Sequence, residues 1–338
     1  MAEAKVTSQD VAALAGVSQS AVSRVYTPGA SVSAKTKDKV RRAAAQLGYR
    51  PNVLARSLIT GKSRLIGVVV AYLDNYFYPD ALEKLSNALQ EKGYHVLIFM
   101  ASQTSGNIDD VLGEILDHQV DGIILASVAM SSDLANRCRA AGVPVVLFNR
   151  TQDDEIVSSV ASDNFEGGRK VAALLAPGHE SIGYIAGWEG ASTQRDREAG
   201  FRAGLAAAGR DIAVRTVGDF NLDRARQAAR EMFAKARPDA VFVANDHMAY
   251  AAMDVIRGEL SLRIPQDVSV VGFDDAAPSA WPAYDLTTVR QRANQMVDKT
   301  VDTLLASIDC NATPPQKIVV DAPLVLRGSA RIPEGFEE

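Results

Sequence analysis

The sequence predicts a small all-α helix-turn-helix head joined to a two-lobed α/β body that holds two doubly wound parallel sheets. Three observations carry this reading. The chain is 338 residues long, more than one hydrophobic core usually serves. Residues 1–64 hold eleven Lys and Arg against Glu3, Asp10 and Asp38, a net charge of +8, whereas the remainder holds 25 basic and 38 acidic side chains, a net of −13. Near Leu65 the apolar pattern changes from helical spacing to short β-rich runs that alternate with longer amphipathic stretches.

A hydrophobic fraction of 47% with 23% charged residues is ordinary globular composition, and no apolar run is long enough to cross a bilayer. The segment from Met1 to Thr7 lacks the basic start, apolar stretch and cleavage site of a secretory signal. A soluble, cytoplasmic protein with no membrane partner is expected. Cys138 and Cys310 lie far apart with no Cys-x-x-Cys pair or nearby histidine cluster, so neither a disulfide framework nor a zinc site is suggested.

In the head, residues 1–50, Thr7 followed by Asp10 reads as a capping box opening a helix that buries Val11 and Leu14 and ends near Gly16. After a turn at Gly16-Val17, Ser18 caps a second helix from Gln19 to Tyr26, whose Val22 and Val25 face the same core. A third helix, capped by Ser33, runs through Val40, Ala44 and Leu47 to Gly48 and leaves Lys35, Lys37, Lys39, Arg41 and Arg42 mostly outside. A basic head on an acidic body is the footprint of phosphate-backbone binding, so double-stranded DNA is the expected partner. In such a head the second helix enters the major groove by its N-terminal part. That places Gln19, Ser20 and Arg24 at base edges, with Arg24 suited to a guanine. Thr7, Ser18, Ser23 and Lys35 are placed as phosphate contacts, with plain helix capping as the alternative role.

The hinge and linker span 51–63. Pro51 breaks the chain after the head, and Asn52 to Ile59 makes barely two helical turns, too short to be stable alone, so folding on DNA is expected there. Gly61-Lys62-Ser63 imitates the end of a phosphate loop, but Arg56 stands where the earlier glycine belongs and no strand precedes it.

The body, residues 64–338, reads as two series of strands. Leu65 to Ala71, Val96 to Ala101, Gly122 to Ala126 and Val143 to Phe148 form the first. Ser181 to Ala186, Val214 to Val217, Ala240 to Ala244 and Val268 to Gly272 form the second, with helices such as Arg197 to Ala208 between them. Ligands of such sheets bind beyond the carboxyl ends of the strands. The loops there carry Asn75, Phe77 and Tyr78, then Asn149 and Arg150, then Asn245 and Asp246, and then Asp274 and Asp275. Aromatic rings against the apolar faces of a polyol, with Asn, Asp and Arg on its hydroxyls, are the chemistry of a monosaccharide cleft. Asp246 and Asp275 read as helix N-caps, Asn245 and Asp274 as lying closer to the cleft. Trp188 and Trp281 read as packing residues.

Catalysis finds no support. There is no Gly-x-Ser-x-Gly elbow, no His-Glu-x-x-His and no Gly-x-Gly-x-x-Gly, and His95, His118, His179 and His247 show no ligand spacing. No catalytic residue, metal or cofactor is expected.

The run from Val6 through Ala12, and from Ala15-Gly16-Val17-Ser18 through Val25, resembles the head of the lactose-repressor (LacI/GalR) family. The likeness continues through Val32 to Thr36, Leu47 to Asn52 and Ala55 to Leu58, and along the body, which resembles periplasmic sugar-binding proteins, to about Arg331. The resemblance implies a sequence-specific transcriptional regulator, a repressor of sugar-utilisation genes. Its operator affinity is expected to change allosterically when a small ligand, a monosaccharide or derivative, binds between the lobes. A homodimer on a palindromic operator is expected, with paired hinge helices in the minor groove and Leu58 wedged between base pairs. The implied ligand positions are Asn75, Phe77, Tyr78, Asn149, Arg150, Arg197, Phe220, Asn245, Asp274 and Gln291. The implied lobes are about 64–162 with 291–320, and about 163–290 with 321–331. Two positions depart from the family: Asn149 stands where relatives often have aspartate, and Tyr76 where proline is common. No heptad tail follows Arg331, so a tetramer by that route is not expected. A transport-type sugar-binding protein would share 64–331 but would need an export signal and no DNA-binding head.

Overall fold

A computed structural model describes residues 6–27, 29–50, 62–101, 108–128, 130, 132–152, 156–310 and 314–336. The chain divides into two units, Met1–Arg64 and Leu65–Glu338. The predicted hinge helix, Leu58 included, lies outside the described residues.

Among its described residues the first unit holds three helices, each started by the residue that the sequence nominates. Thr7 caps α1 (Ser8–Ala15) in a complete capping box with Asp10, and Gly16 ends it with φ 63°, a left-handed conformation that favours glycine. Ser18 caps α2 (Gln19–Val25) and Ser33 caps α3 (Ala34–Leu47). Val11, Ala12, Ala15, Val22, Val40, Ala43 and Ala44 form the core, with Val25 and Leu47 half-buried at its rim. Leu14 is 47% exposed, contrary to its expected place inside. The inward stripe of α1 runs through Val11, Ala12 and Ala15, and at helical spacing this puts Leu14 on the flank.

The second unit contains two sheets. The first is built from β1 (Leu65–Val70), β2 (His95–Met100), β3 (Gly122–Ala126), β4 (Val145–Phe148), β5 (Ser158–Ser162) and β11 (Lys317–Val320). It runs β2-β1-β3-β4-β5-β11, all parallel. The helices α4 (Phe77–Glu91), α5 (Ile108–Asp117) and α6 (Ser132–Ala140) lie between its strands in sequence. The second sheet takes β6 (Ile182–Ala186), β7 (Val214–Val217), β8 (Ala240–Val243), β9 (Ser269–Asp274), β10 (Thr287–Arg290) and β12 (Leu324–Val325). Its order, β7-β6-β8-β9-β10-β12, repeats the first, with only β12 antiparallel. The helices α7 (Asn164–Leu175), α8 (Ser192–Ala207), α9 (Leu222–Lys235) and α10 (Asp246–Asp254) accompany it, while α11 (Ala293–Asp309) packs on α4 and the first sheet. In both sheets the strand order reverses beside the first strand, which opens a crevice between the loops that follow it and its neighbour.

The chain passes between the sheets three times, at 162–164, 290–293 and 320–324. Four strands escaped the sequence reading, and two of them, β5 and β10, are polar enough to explain it. Ser158 in β5 accepts the Gln316 N–H, and Thr288 in β10 donates to Asp246, so long-range hydrogen bonds make their burial affordable. Helices α7 and α8 approach backbone to backbone. A Cβ at Gly200 would lie 1.8 Å from the Phe165 carbonyl oxygen, and one at Gly168 2.2 Å from that of Arg197. Among the described residues no helix is long and apolar enough to cross a membrane.

Candidate functional site

On the head, Gln19, Ser20, Ser23, Arg24 and Lys35 are exposed, as an interface with DNA requires. Several are already engaged within the chain. The Ser18 hydroxyl accepts the Ala21 N–H and shares a 2.9 Å hydrogen bond with Ser20. Gln19 donates through Nε2 to the Ser8 hydroxyl at 2.9 Å, which ties α2 to α1. Arg24 reaches back through Nε to the Ser20 carbonyl at 3.4 Å. Thr7 and Asp10 satisfy each other, and the Thr7 backbone N–H draws the Asp10 carboxyl below its usual range.

In the body, the carboxyl ends of the strands carry non-glycine residues at positive φ: Ser127 (64°), Asn149 (57°), Phe220 (54°), Asp274 (130°) and Asp275 (55°). Such backbone costs free energy and persists where surrounding structure enforces it. Asp274, 3% exposed, is the hub. Its Oδ1 accepts from Gln291 Nε2 at 2.7 Å and from Arg197 Nη2 at 3.4 Å, and its Oδ2 accepts from Asn75 Nδ2 at 3.3 Å. Arg197 is held from four sides, for it also donates to Asn164 Oδ1 at 2.8 Å and to the Ala244 carbonyl at 2.6 Å and stacks 3.7 Å above the Phe273 ring. Burial works against both charges, pushing the Asp274 carboxyl up and the Arg197 guanidinium down, and each partner opposes the shift of the other.

A second cluster gathers on Tyr78. Its hydroxyl accepts from Asn149 Nδ2 at 3.2 Å and Arg150 Nη1 at 3.4 Å. Arg150 Nη1 also reaches Thr193 Oγ1, in the other lobe, at 3.1 Å, and the Thr151 N–H meets the Ser192 hydroxyl at 2.9 Å. With the bond from Asn75 to Asp274, these hold the two sheets' loops face to face. Ser192 and Thr193 were missed because the sequence reading began α8 at Arg197, one turn late.

Several sequence expectations are corrected. Phe77 offers no free ring face, since it stacks on Phe148 at 6.2 Å within the first lobe's core. Asn75 Oδ1 accepts the Phe77 N–H at the start of α4, which turns that side chain inward. Phe220 is buried as well, with its ring against the Gly187 backbone. Asp246 is not the helix cap: Asn245 caps α10 by accepting the Met248 N–H at 3.0 Å. Asp246 points into the lobe, where it accepts from the Ala276 N–H, Ser279 and Thr288 at 2.9, 2.6 and 2.5 Å. Burial, with Asp274 nearby, pushes its carboxyl up to about 7. Asp275 is no cap either, and pairs with Arg290 and Arg327, both at 2.6 Å. Trp281 does not pack inside a lobe. It is half exposed and meets Tyr76 of the other lobe edge to face at 6.5 Å.

The family of bacterial regulatory proteins described as lacI matches residues 7–52, and a periplasmic binding protein-like domain matches residues 171–330. The chain is 35% identical over 335 residues to the HTH-type transcriptional regulator CelR of Thermobifida fusca, covering 96% of this chain and 98% of that one. A structure of the transcriptional regulator CelR–cellobiose complex superposes with a TM-score of 0.73 at 32% identity, over 96% of this chain and 100% of that one. The lac repressor dimer bound to operator and the anti-inducer ONPF superposes with a TM-score of 0.87 at 30% identity, over 96% and 99% of the two chains.

Proposed function

The chain belongs to the lacI family of bacterial regulatory proteins, and on that premise we propose that it is a cytoplasmic, ligand-controlled repressor of sugar-utilisation genes. It acts as a homodimer on a palindromic operator, as a two-fold reader of half-sites does, and carries out no catalysis. Gln19, Ser20 and Arg24 read base edges. Thr7, Ser18, Ser23 and Lys35 hold phosphates, and Leu58 in the hinge wedges the minor groove.

The observation that carries the ligand half of this reading is the convergence of Asn75, Arg197 and Gln291 on Asp274 at the mouth of both sheets. A buried array of donors and acceptors placed by rigid elements suits the hydroxyls of a sugar. Asn75, Tyr78, Asn149, Arg150, Arg197, Asn245, Asp274 and Gln291 form the polar lining, and Phe77 and Phe220 support it from the cores. Ligand binding changes how the lobes meet, and through that the pairing of the hinge segments on DNA. Linkage then requires operator DNA to change ligand affinity by the same factor.

The test starts from a pool of randomised DNA duplexes selected on the full-length protein, followed by titration of the selected site with and without a panel of sugars. A palindromic site whose affinity shifts with one sugar supports the proposal. Selection without a palindrome, or an affinity indifferent to every sugar and sugar derivative, removes the DNA half or the ligand half respectively.

A further inference from the structure

The charges in the cleft do not balance, and the imbalance has a location. Arg197 has its carboxylate in Asp274, whereas Arg150 makes no ion pair with a carboxylate among the described residues. It is 4% exposed, and among the described residues its hydrogen-bond partners are neutral: the Tyr78 and Tyr72 hydroxyls, the Asn149 carbonyl, the Thr193 hydroxyl and the Ser127 carbonyl. A guanidinium stays charged when buried, and an uncompensated buried charge is costly. The neighbouring side chain, Asn149, is an amide and supplies no counter-charge.

The pattern of used and unused N–H groups is specific. Among the described residues Nη1 reaches Tyr78, Asn149 and Thr193, Nη2 lies a long 3.4 Å from the Ser127 carbonyl, and Nε is buried without a hydrogen-bond partner. Nε and Nη2 share one edge of the planar group and point the same way, the fork that holds a carboxylate or phosphate by two parallel bonds. On the preceding residue, Oδ1 of Asn149 is also buried without a partner among the described residues. A donor fork with an unused Nε–H and an unused acceptor, on consecutive residues whose side chains share the Tyr78 hydroxyl, suit a ligand with an anionic group and a neighbouring hydroxyl. The backbone that presents them is held at positive φ at both Ser127 and Asn149.

The geometry points to an anionic effector, a sugar acid or sugar phosphate whose carboxylate or phosphate sits on the Nε–Nη2 edge of Arg150 and whose adjacent hydroxyl donates to Asn149 Oδ1. This rests on the cleft being the effector site. Asp274, Arg197 and Gln291 then take the remaining hydroxyls, and the Arg150–Thr193 bond between the lobes makes the anion's site part of the closing surface.

The experiment is calorimetric titration of the full-length protein with matched compounds at constant ionic strength: galactose with galacturonate, and glucose with gluconate and glucose 6-phosphate. Expected is at least about tenfold tighter binding of one anionic member than of its neutral parent, the scale of one charge-assisted hydrogen bond or more. Carboxylate against phosphate preference identifies which anion the fork takes. Arg150→Gln and Asn149→Asp, the second placing a carboxylate beside Arg150, should each abolish that preference, so that the anionic compound binds no more tightly than its neutral parent to the same variant. Arg150→Gln removes a buried uncompensated charge, so its ligand-free form should unfold at no lower temperature than the parent, which checks that the variant is folded. Neutral sugars binding as tightly as their acids and phosphates, with a loss of binding in Asp274→Asn, overturns the anionic effector and keeps the cleft. No binding by any compound overturns both.

Discussion

Gln291 donates its amide Nε2–H to Asp274 at 2.7 Å and, through Oε1, accepts the Ser162 hydroxyl at 2.9 Å. One side chain thereby ties two of the three crossings between the sheets, at 162 and 291, to the carboxylate on which the cleft converges. A ligand that displaces Gln291 or Asp274 would therefore act on two of the segments that join the sheets.

Asp274→Ala removes the common partner of Arg197, Gln291 and Asn75. Breaking a buried ion pair from one side leaves an uncompensated charge, so urea unfolding should show a loss of about 3–5 kcal/mol. Effector binding should be lost as well. A variant as stable as the parent would mean that Arg197 is neutralised by another group.

Asp246 sets a pH dependence whose sign follows from its raised carboxyl. The folded protein holds the Asp246 proton up to about 7, whereas the unfolded chain releases it near 3.8. Between those values the native state binds more protons, so this group's contribution to stability falls as pH rises and levels off above about 7. Burial holds His179 and His247 below their usual 6.5, which tilts stability the opposite way below that pH. The readout is therefore the difference between parent and Asp246→Asn in denaturant midpoints from pH 4.5 to 8. The parent should lose stability relative to the variant across that range, and parallel curves would show that Asp246 is ionised throughout.

Gly200→Ala puts a methyl group where the Phe165 carbonyl oxygen stands, 1.8 Å away, and neither helix backbone yields cheaply. A destabilisation of about 1–3 kcal/mol is expected from overpacking. Because α8 also carries Arg197, effector affinity should fall with it. Unchanged thermal unfolding would indicate that α7 and α8 are further apart than described.

On the head, two substitutions separate reading from folding. Arg24→Ala should weaken the selected palindrome by about 1–3 kcal/mol and relax discrimination at one base pair, with head stability unchanged. Ser18→Ala removes the α2 cap and should lower head stability by about 0.5–2 kcal/mol. If Arg24→Ala weakens random and selected DNA equally, Arg24 contacts phosphate and not a base.

What the sequence by itself determined is the local grammar and the architecture it implies. Capping signals at Thr7, Ser18 and Ser33 and left-handed glycines at 16 and 48 act within three or four residues, so they can be read without knowing what lies across the core. Apolar strands such as Leu65–Val70 announce themselves by composition, and their carboxyl ends point to the loops of the cleft. Tertiary structure decided what each polar side chain does there. Asp246 is a buried acceptor and not a cap because its donors, Ala276, Ser279 and Thr288, lie 30, 33 and 42 residues further along the chain. Phe77 turns to Phe148, and Trp281 meets Tyr76, for the same kind of reason. The serines and threonines of β5 and β10 become strand residues only once distant partners satisfy their hydroxyls. Burial and hydrogen bonding are set by neighbours in space, and neither periodicity nor motif spacing carries that information.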